Sequence, residues 1–174
     1  MPEMFRFRDR LPHPGEGKQP RAELATTVDG TTAEIYLYDV IDSWGGYWGI
    51  SASEVAEALT TLPANVDTIH LRVNSPGGEV FEAIAIKNLL AAHPAKVVAV
   101  VDGLAASAAS FIATAADETV MGENTELMIH DAHVIARGNA EAFRGFAEDL
   151  DRVSDNIASI YAKKSGQPLA DWRE

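Results

Sequence analysis

Ser107 stands in a run of small residues, Gly103-Leu104-Ala105-Ala106-Ser107-Ala108-Ala109-Ser110, directly after the apolar stretch Lys96 to Val101. A serine hydroxyl is a weak nucleophile until a neighbouring base takes its proton. His130 closes another short apolar stretch, Leu127-Met128-Ile129-His130, and an imidazole has the reach and ordinary pKa for that task. A third stretch ends in Ser75-Pro76-Gly77-Gly78, a turn that offers backbone N–H groups with no side chains to block an incoming chain. Paired with an N–H from the start of a helix at Ser107, that turn would bind a carbonyl oxygen as it becomes anionic. Taken alone, the alanine-rich run also reads as a packing helix. The glycine turn and the histidine strand shift it towards acyl transfer through a serine.

Each of these groups needs an element to hold it. Lys96 to Val101 reads as a strand and Leu104 to Ala116 as a helix, with Gly103 at the joint and Ser107 in the helix's first turn. Upstream, Ala33 to Val40 alternates as a strand, and Asp42 to Gly49 is a glycine-rich aromatic loop. Ser51 with Glu54 forms a capping box that opens a helix to about Thr61, and Pro63 ends it. Thr68 to Asn74 puts Ile69, Leu71 and Val73 on one strand face. Val80 to Ala92 is a helix stopped by Pro94. Thr119 to Met121 and Leu127 to Ile129 are short strands, with Val134 to Ala136 a candidate third. Strand and helix alternate, which implies parallel pairing with right-handed crossovers.

The last element is long. From Ala140 to about Lys164, apolar residues recur at Phe143, Phe146, Leu150, Val153, Ile157 and Ile160, alternating three and four apart, and Gly166 is placed to cap the end. Such a helix would run roughly 40 Å, longer than one side of a small domain covers.

The chain of 174 residues is 47% hydrophobic and carries a net charge of −12, which argues against nucleic acid and anionic membrane surfaces as partners. It contains no cysteine, so disulfides, thiolate metal sites and a cysteine nucleophile are excluded; the composition suits the cytoplasm. No stretch reads as a signal peptide or membrane span: Asp102 and Gly103 interrupt the most apolar segment, Val97 to Ala116. Residues 1–30 read as an irregular N-terminal arm, 31–138 as the head that carries the chemistry, and 139–174 as the long helix with a short end.

Three motifs, taken together and in order, resemble the ClpP family of serine peptidases. They are Val73-Asn74-Ser75-Pro76-Gly77-Gly78, Gly103-Leu104-Ala105-Ala106-Ser107 and Met128-Ile129-His130. Within that family the chain is most similar to prophage-encoded, ClpP-related head maturation proteases, through Val80-Phe81-Glu82-Ala83-Ile84-Ala85-Ile86 and Gly138-Asn139-Ala140. The resemblance implies an α/β fold of the ClpP/crotonase type, stacked ββα units with a long C-terminal handle helix. It implies Ser107 as nucleophile, His130 as general base, and the N–H groups of Gly78 and Ala108 as oxyanion hole. It further implies a polypeptide substrate, no cofactor, and a homo-oligomeric ring built through the 140–164 helix. An unfoldase ATPase would be the partner of a housekeeping peptidase, and a phage capsid or scaffold protein the target of a head maturation protease.

In the resembled family the third triad member is an Asp well downstream of the handle helix, whereas this sequence stops at Glu174. Asp171 opens what reads as a new helix and is not given that role. The expectation is an enzyme whose 1–174 chain shows little activity, or alternatively a catalytically inactive ClpP-like assembly protein.

Rival residues stand beside each assignment. Ser110 lies one helical turn beyond Ser107, and His133 competes with His130. His130 and His133 together lack a third ligand type at a telling spacing, so no metal is assigned. His70 and His93 read as surface or helix-end residues, and His13 lies in the arm. Asp102 reads as a turn residue before Gly103. Trp44, Tyr47 and Trp48 read as loop packing or subunit contact, in preference to a substrate groove.

Overall fold

The computed structural model describes Leu24 and residues 26–173. His13 and most of the arm lie outside the described residues. Thr26–Asp29, within the stretch read as arm, forms strand β1 and pairs antiparallel with β2, Thr32–Leu37. Helix α1, Ala52–Thr61, starts at Ser51 with both halves of the capping box formed. Strand β3, Thr68–Ser75, helix α2, Val80–Ala92, and strand β4, Lys96–Ala106, follow. Then come α3, Ala108–Ala115, and the short strands β5, Glu118–Met121, and β6, Glu126–Met128. The long helix α4 is Ala140–Ser165, capped by the Asn139 side chain at its start and by Gly166, in left-handed conformation, at its end.

The sheet runs in the order β1-β2-β3-β4-β5. From β2 onward every pairing is parallel, as the alternation of strands and helices requires. β6 pairs with β4 beyond the point where β5 leaves it. Ile35, Leu71 and Ala99 lie side by side across the register, and all are buried. Their face meets α2 and α3 through Ala83, Ile86, Phe111 and Ile112 in one core cluster. Each such aliphatic side chain taken from water contributes roughly 2 kcal/mol. This is the mixed α/β fold expected from the sequence: among the described residues, a sheet with four α-helices of which the last is the longest. Among the described residues no helix is long and apolar enough to cross a membrane.

Further element readings differ from the sequence. β4 runs on to Ala106 instead of stopping at Val101, and α3 begins at Ala108 instead of Leu104. The reason is pairing on both sides: Ala105 pairs with Ser75 of β3, and Leu104, Ala105 and Ala106 pair with β6. Those ladder bonds override the helix preference of alanine. Val134 to Ala136 forms no strand, and Ile135 is 99% exposed there. The α4 seam also divides. No residue from Ala140 to Val153 is buried, while Ser154, Ile157, Ala158 and Tyr161 are. The buried side chains of α4 all lie in its second half, where Tyr161 meets Ser110 of α3.

Candidate active site

The turn from β4 into α3 falls on Ser107 itself. Its φ is 51° and ψ −125°, a conformation that side chains other than glycine seldom adopt. Gly103, expected at the joint, sits inside β4, where a Cβ would come within 2.7 Å of the Asn74 side-chain oxygen. Its need for glycine is a close approach and not a sharp turn. Ser107 is the N-cap of α3 instead of a first-turn residue, which lifts its hydroxyl clear of the helix.

Two bonds bring His130 to it. The Ser107 N–H donates to the Met128 carbonyl at 2.8 Å, fixing the end of β6 against the elbow. Two residues on, His130 Nε2 lies 2.9 Å from Ser107 Oγ. His130 Nδ1 lies 2.6 Å from the carbonyl oxygen of Asp131. A carbonyl only accepts, so Nδ1 carries the proton and Nε2 presents its lone pair to the serine hydroxyl. The imidazole is thus in the tautomer a general base for Ser107 needs.

The glycine turn packs on the same elbow. Gly77 has φ 89°, and a Cβ there would stand 2.7 Å from the Ala108 nitrogen and 2.8 Å from the Ser107 Cβ. Gly78 has φ 150°, and a Cβ there would collide with the Ile41 carbonyl. The Ile41 N–H donates to the Gly77 carbonyl and the Glu79 N–H to the Ile41 carbonyl, so the Gly78 N–H takes part in neither bond. Ala108 is the first residue of α3, where an N–H has no acceptor four residues back. Gly78, Ala108, Ser107 and His130 line one cavity of about 110 Å³, walled by Val80, Phe111, Ile157 and Tyr161. A larger cavity of about 530 Å³ lies between the C-terminal ends of α2 and α3, lined by Lys87, His93 and Asp117 among others. It contains no serine, and none of Gly77, Gly78, Ser107 or His130 lines it.

The rivals separate clearly. Ser110 is fully buried; its hydroxyl bonds the Ser107 carbonyl and the Tyr161 hydroxyl. His133 lines the Ser107 cavity with its ring centroid 5.1 Å from that of His130, but no hydrogen bond joins it to Ser107. His93 caps α2 and accepts from the Ala95 N–H. Among the described residues no group of three or more His, Asp or Glu could hold a metal ion. Asp102 lies in β4 and not in a turn, where it accepts from Arg72 Nε at 2.8 Å and from the Tyr38 hydroxyl at 2.6 Å. Burial pushes its carboxyl pKa up, but the bonds from Arg72 and Tyr38 and the Arg72 charge outweigh that and leave it below the ordinary value. Tyr47 and Trp48 meet edge-to-face at 5.5 Å within the loop, whereas Trp44 is 83% exposed and packs on nothing there.

Asp171 shares a cavity wall with His130 without a hydrogen bond to it. Among the described residues no carboxylate bonds the imidazole. Arg173 instead pairs with the Asp131 side chain at 3.1 Å and with Asp151 and Asp155 of α4, holding the residue whose carbonyl receives Nδ1. Neither this clasp nor the Ser110–Tyr161 pair is visible in the motifs. The one sequence signal is that Tyr161 lies four residues after Ile157, on the buried side of α4.

Comparison with known proteins yields a match over residues 30–174 to the family described as Clp protease. An ATP-dependent Clp protease proteolytic subunit of Pleurastrum terricola is 28% identical over 123 residues, 68% of this chain and 63% of that protein. Its counterpart of Oltmannsiellopsis viridis is 31% identical over 103 residues, 58% of this chain and 53% of that protein. The matches thus span less than two thirds of either relative's own length.

Proposed function

Since this chain belongs to the Clp protease family, we propose that it is a serine endopeptidase in which Ser107 attacks and His130 is the base. The observation that carries the reading is the 2.9 Å approach of His130 Nε2 to Ser107 Oγ with the Nδ1 proton committed elsewhere. Ser107 Oγ bonds to the scissile carbonyl carbon as its proton passes to Nε2. The carbonyl oxygen becomes an anion facing the N–H groups of Gly78 and Ala108. Collapse breaks the C–N bond, and the leaving amine takes the proton from Nε2. Water then repeats the sequence on the acyl-enzyme and frees Ser107. The substrate is a polypeptide. Residues 31–138 act as the head and 139–174 as the handle, and subunits join into a ring through the 140–164 helix.

Phage capsid or scaffold protein is the target this reading favours, on the strength of the Val80–Ile86 and Gly138–Ala140 segments. The curated relatives are named as ATP-dependent subunits, which supports the alternative of a partner unfoldase. Incubation of the purified protein with a phage capsid protein separates the two: cleavage without ATP supports the first. The test of the chemistry is labelling with a fluorophosphonate and mapping of the adduct. Ser107 is the expected site, and no adduct on the intact protein would overturn the assignment.

A second reading rests on one observation. The His130 Nδ1 partner is a neutral carbonyl, which stabilises an imidazolium less than a carboxylate does. It supports a non-catalytic assembly protein that keeps the fold and the ring. Absence of labelling with a ring intact in solution is its signature.

A further inference from the structure

We infer that Ser110 and Tyr161 form a positioning pair that holds the strained backbone of Ser107, an inference that rests on Ser107 being the nucleophile. The Ser107 carbonyl accepts twice from Ser110, from its N–H at 3.0 Å and from its hydroxyl. That hydroxyl has one proton, and the Ser107 carbonyl takes it. The 2.6 Å bond between Ser110 Oγ and the Tyr161 hydroxyl is therefore donated by Tyr161. A tyrosine carries its proton at neutral pH in any case, and burial pushes this pKa further up, to about 12. The chain of donors runs from α4 to Ser110 to the Ser107 carbonyl.

Ser110 and Tyr161 have 0% and 5% exposure, so water does not compete for either hydroxyl. Tyr161 is in turn fixed from outside: Trp172 stacks on its ring at 5.3 Å and 26°. What the pair restrains is a peptide unit in a sparsely populated conformation, φ 51° and ψ −125°. A hydroxyl bonded to the carbonyl of the strained residue resists its relaxation towards ordinary helical φ. Relaxation would swing Oγ away from His130 Nε2 and the Ala108 N–H away from the glycine turn. Neither hydroxyl touches a substrate, so these are positioning residues and not catalytic ones. They also join the second half of α4 to the elbow, so the helix that bridges subunits in the proposed ring is wired to the nucleophile's backbone.

The experiment is the pH–rate profile of fluorophosphonate labelling of Ser107 in the full protein, compared with Ser110→Ala/Tyr161→Phe. The double variant removes both hydroxyls together and leaves no buried polar group unpaired, so folding is expected to survive. The expected result is a labelling rate lower by about tenfold or more, since small misplacement of reacting groups is that costly. The profile's midpoint stays unchanged because His130 is untouched. An unchanged rate overturns the inference, and so does a shifted midpoint, which would mean the pair acts through the base. A fall in the fraction labelled at unchanged rate reports partial unfolding and also overturns it. Should the double variant not fold, Tyr161→Phe alone carries the test: it keeps the ring on Trp172, and a rate equal to that of the parent overturns the inference. Failure of the parent to label at Ser107 is a separate result. It removes the nucleophile assignment itself, and this inference with it.

Discussion

Ser107 and His130 meet twice over: the Ser107 N–H is bonded to the residue two before His130, and the Ser107 hydroxyl faces the His130 ring. One hydrogen bond sets the distance between the elements, and the other uses it. Ser107→Ala is therefore expected to abolish labelling and hydrolysis while leaving the melting temperature within a few degrees, since the side chain removed is small and on the cavity wall. His130→Gln is expected to slow labelling by about 10²–10⁴-fold. Mass mapping of the adduct checks both. An adduct on Ser110 in Ser107→Ala would show the wrong serine was chosen.

Asp102 gives a negative control with its own signature. Its carboxylate serves Arg72 and Tyr38, whose hydroxyl and guanidinium it binds on the open face of the sheet. Asp102→Asn is expected to leave the labelling rate within about twofold and to lower stability by about 1–2 kcal/mol, the range for a partly screened charged hydrogen bond. The loss is also pH-dependent. A carboxyl whose folded pKa is depressed stabilises the fold above its unfolded pKa, and that contribution fades as pH falls through the folded value. Parent and variant should thus converge in strongly acidic urea titrations. A large loss of labelling at neutral pH would put Asp102 in the catalytic machinery.

The elements that hold this site were legible because each has a local signature. Alternation marked Ile69, Leu71 and Val73 as one strand face, and the Ser51–Glu54 capping box formed as read. The elbow was not located correctly, for a reason the sequence cannot carry. Leu104 to Ala106 prefer helix on their own, and only pairing to β3 and β6 holds them extended. The register shift between Val73 and Ser75 that admits this pairing is likewise tertiary. His130 was singled out by its place after an apolar strand and by the motif it completes. The Asp131 carbonyl that sets its tautomer is backbone and has no residue type to announce it.

The glycine turn predicts a steric effect. Gly78 combines φ 150° with a Cβ position occupied by the Ile41 carbonyl, so Gly78→Ala must open the bond pattern joining Ile41 to Gly77 and Glu79. We expect a stability loss of about 3 kcal/mol and loss of labelling, because the turn carrying the candidate oxyanion donor is displaced. Thermal melting and labelling measured together check this. A variant that melts as the parent does would mean the turn adapts without strain.

The first half of α4 predicts assembly. Phe143 is 51% exposed, sits edge-on to Phe146 at 6.2 Å, and no residue of that half of the helix is fully buried. Phe143→Glu with Phe146→Glu is expected to lower the mass in solution while keeping the fold. Val153 is a poorer reporter, because it packs against the core and a charge there would disturb the domain itself. Light scattering at micromolar concentration checks the outcome. A monomeric parent would remove the handle as an interface.

Tyr161 offers a stability effect with a definite pH window. Burial raises its hydroxyl pKa to about 12. An ordinary tyrosine ionises near pH 10. A raised folded pKa means that the folded state holds the proton more tightly than the unfolded chain does. The resulting stabilisation is complete below about pH 10 and is lost as pH rises towards about 12. Its full size is about 3 kcal/mol. Lysines titrate in the same window, so the comparison is between the parent and Tyr161→Phe, each unfolded in urea at about pH 9 and about pH 11.5. The parent is expected to lose about 1–2 kcal/mol more than the variant between those two conditions. Equal losses would mean that the folded Tyr161 ionises like an exposed tyrosine, and that its hydroxyl is not buried against α3.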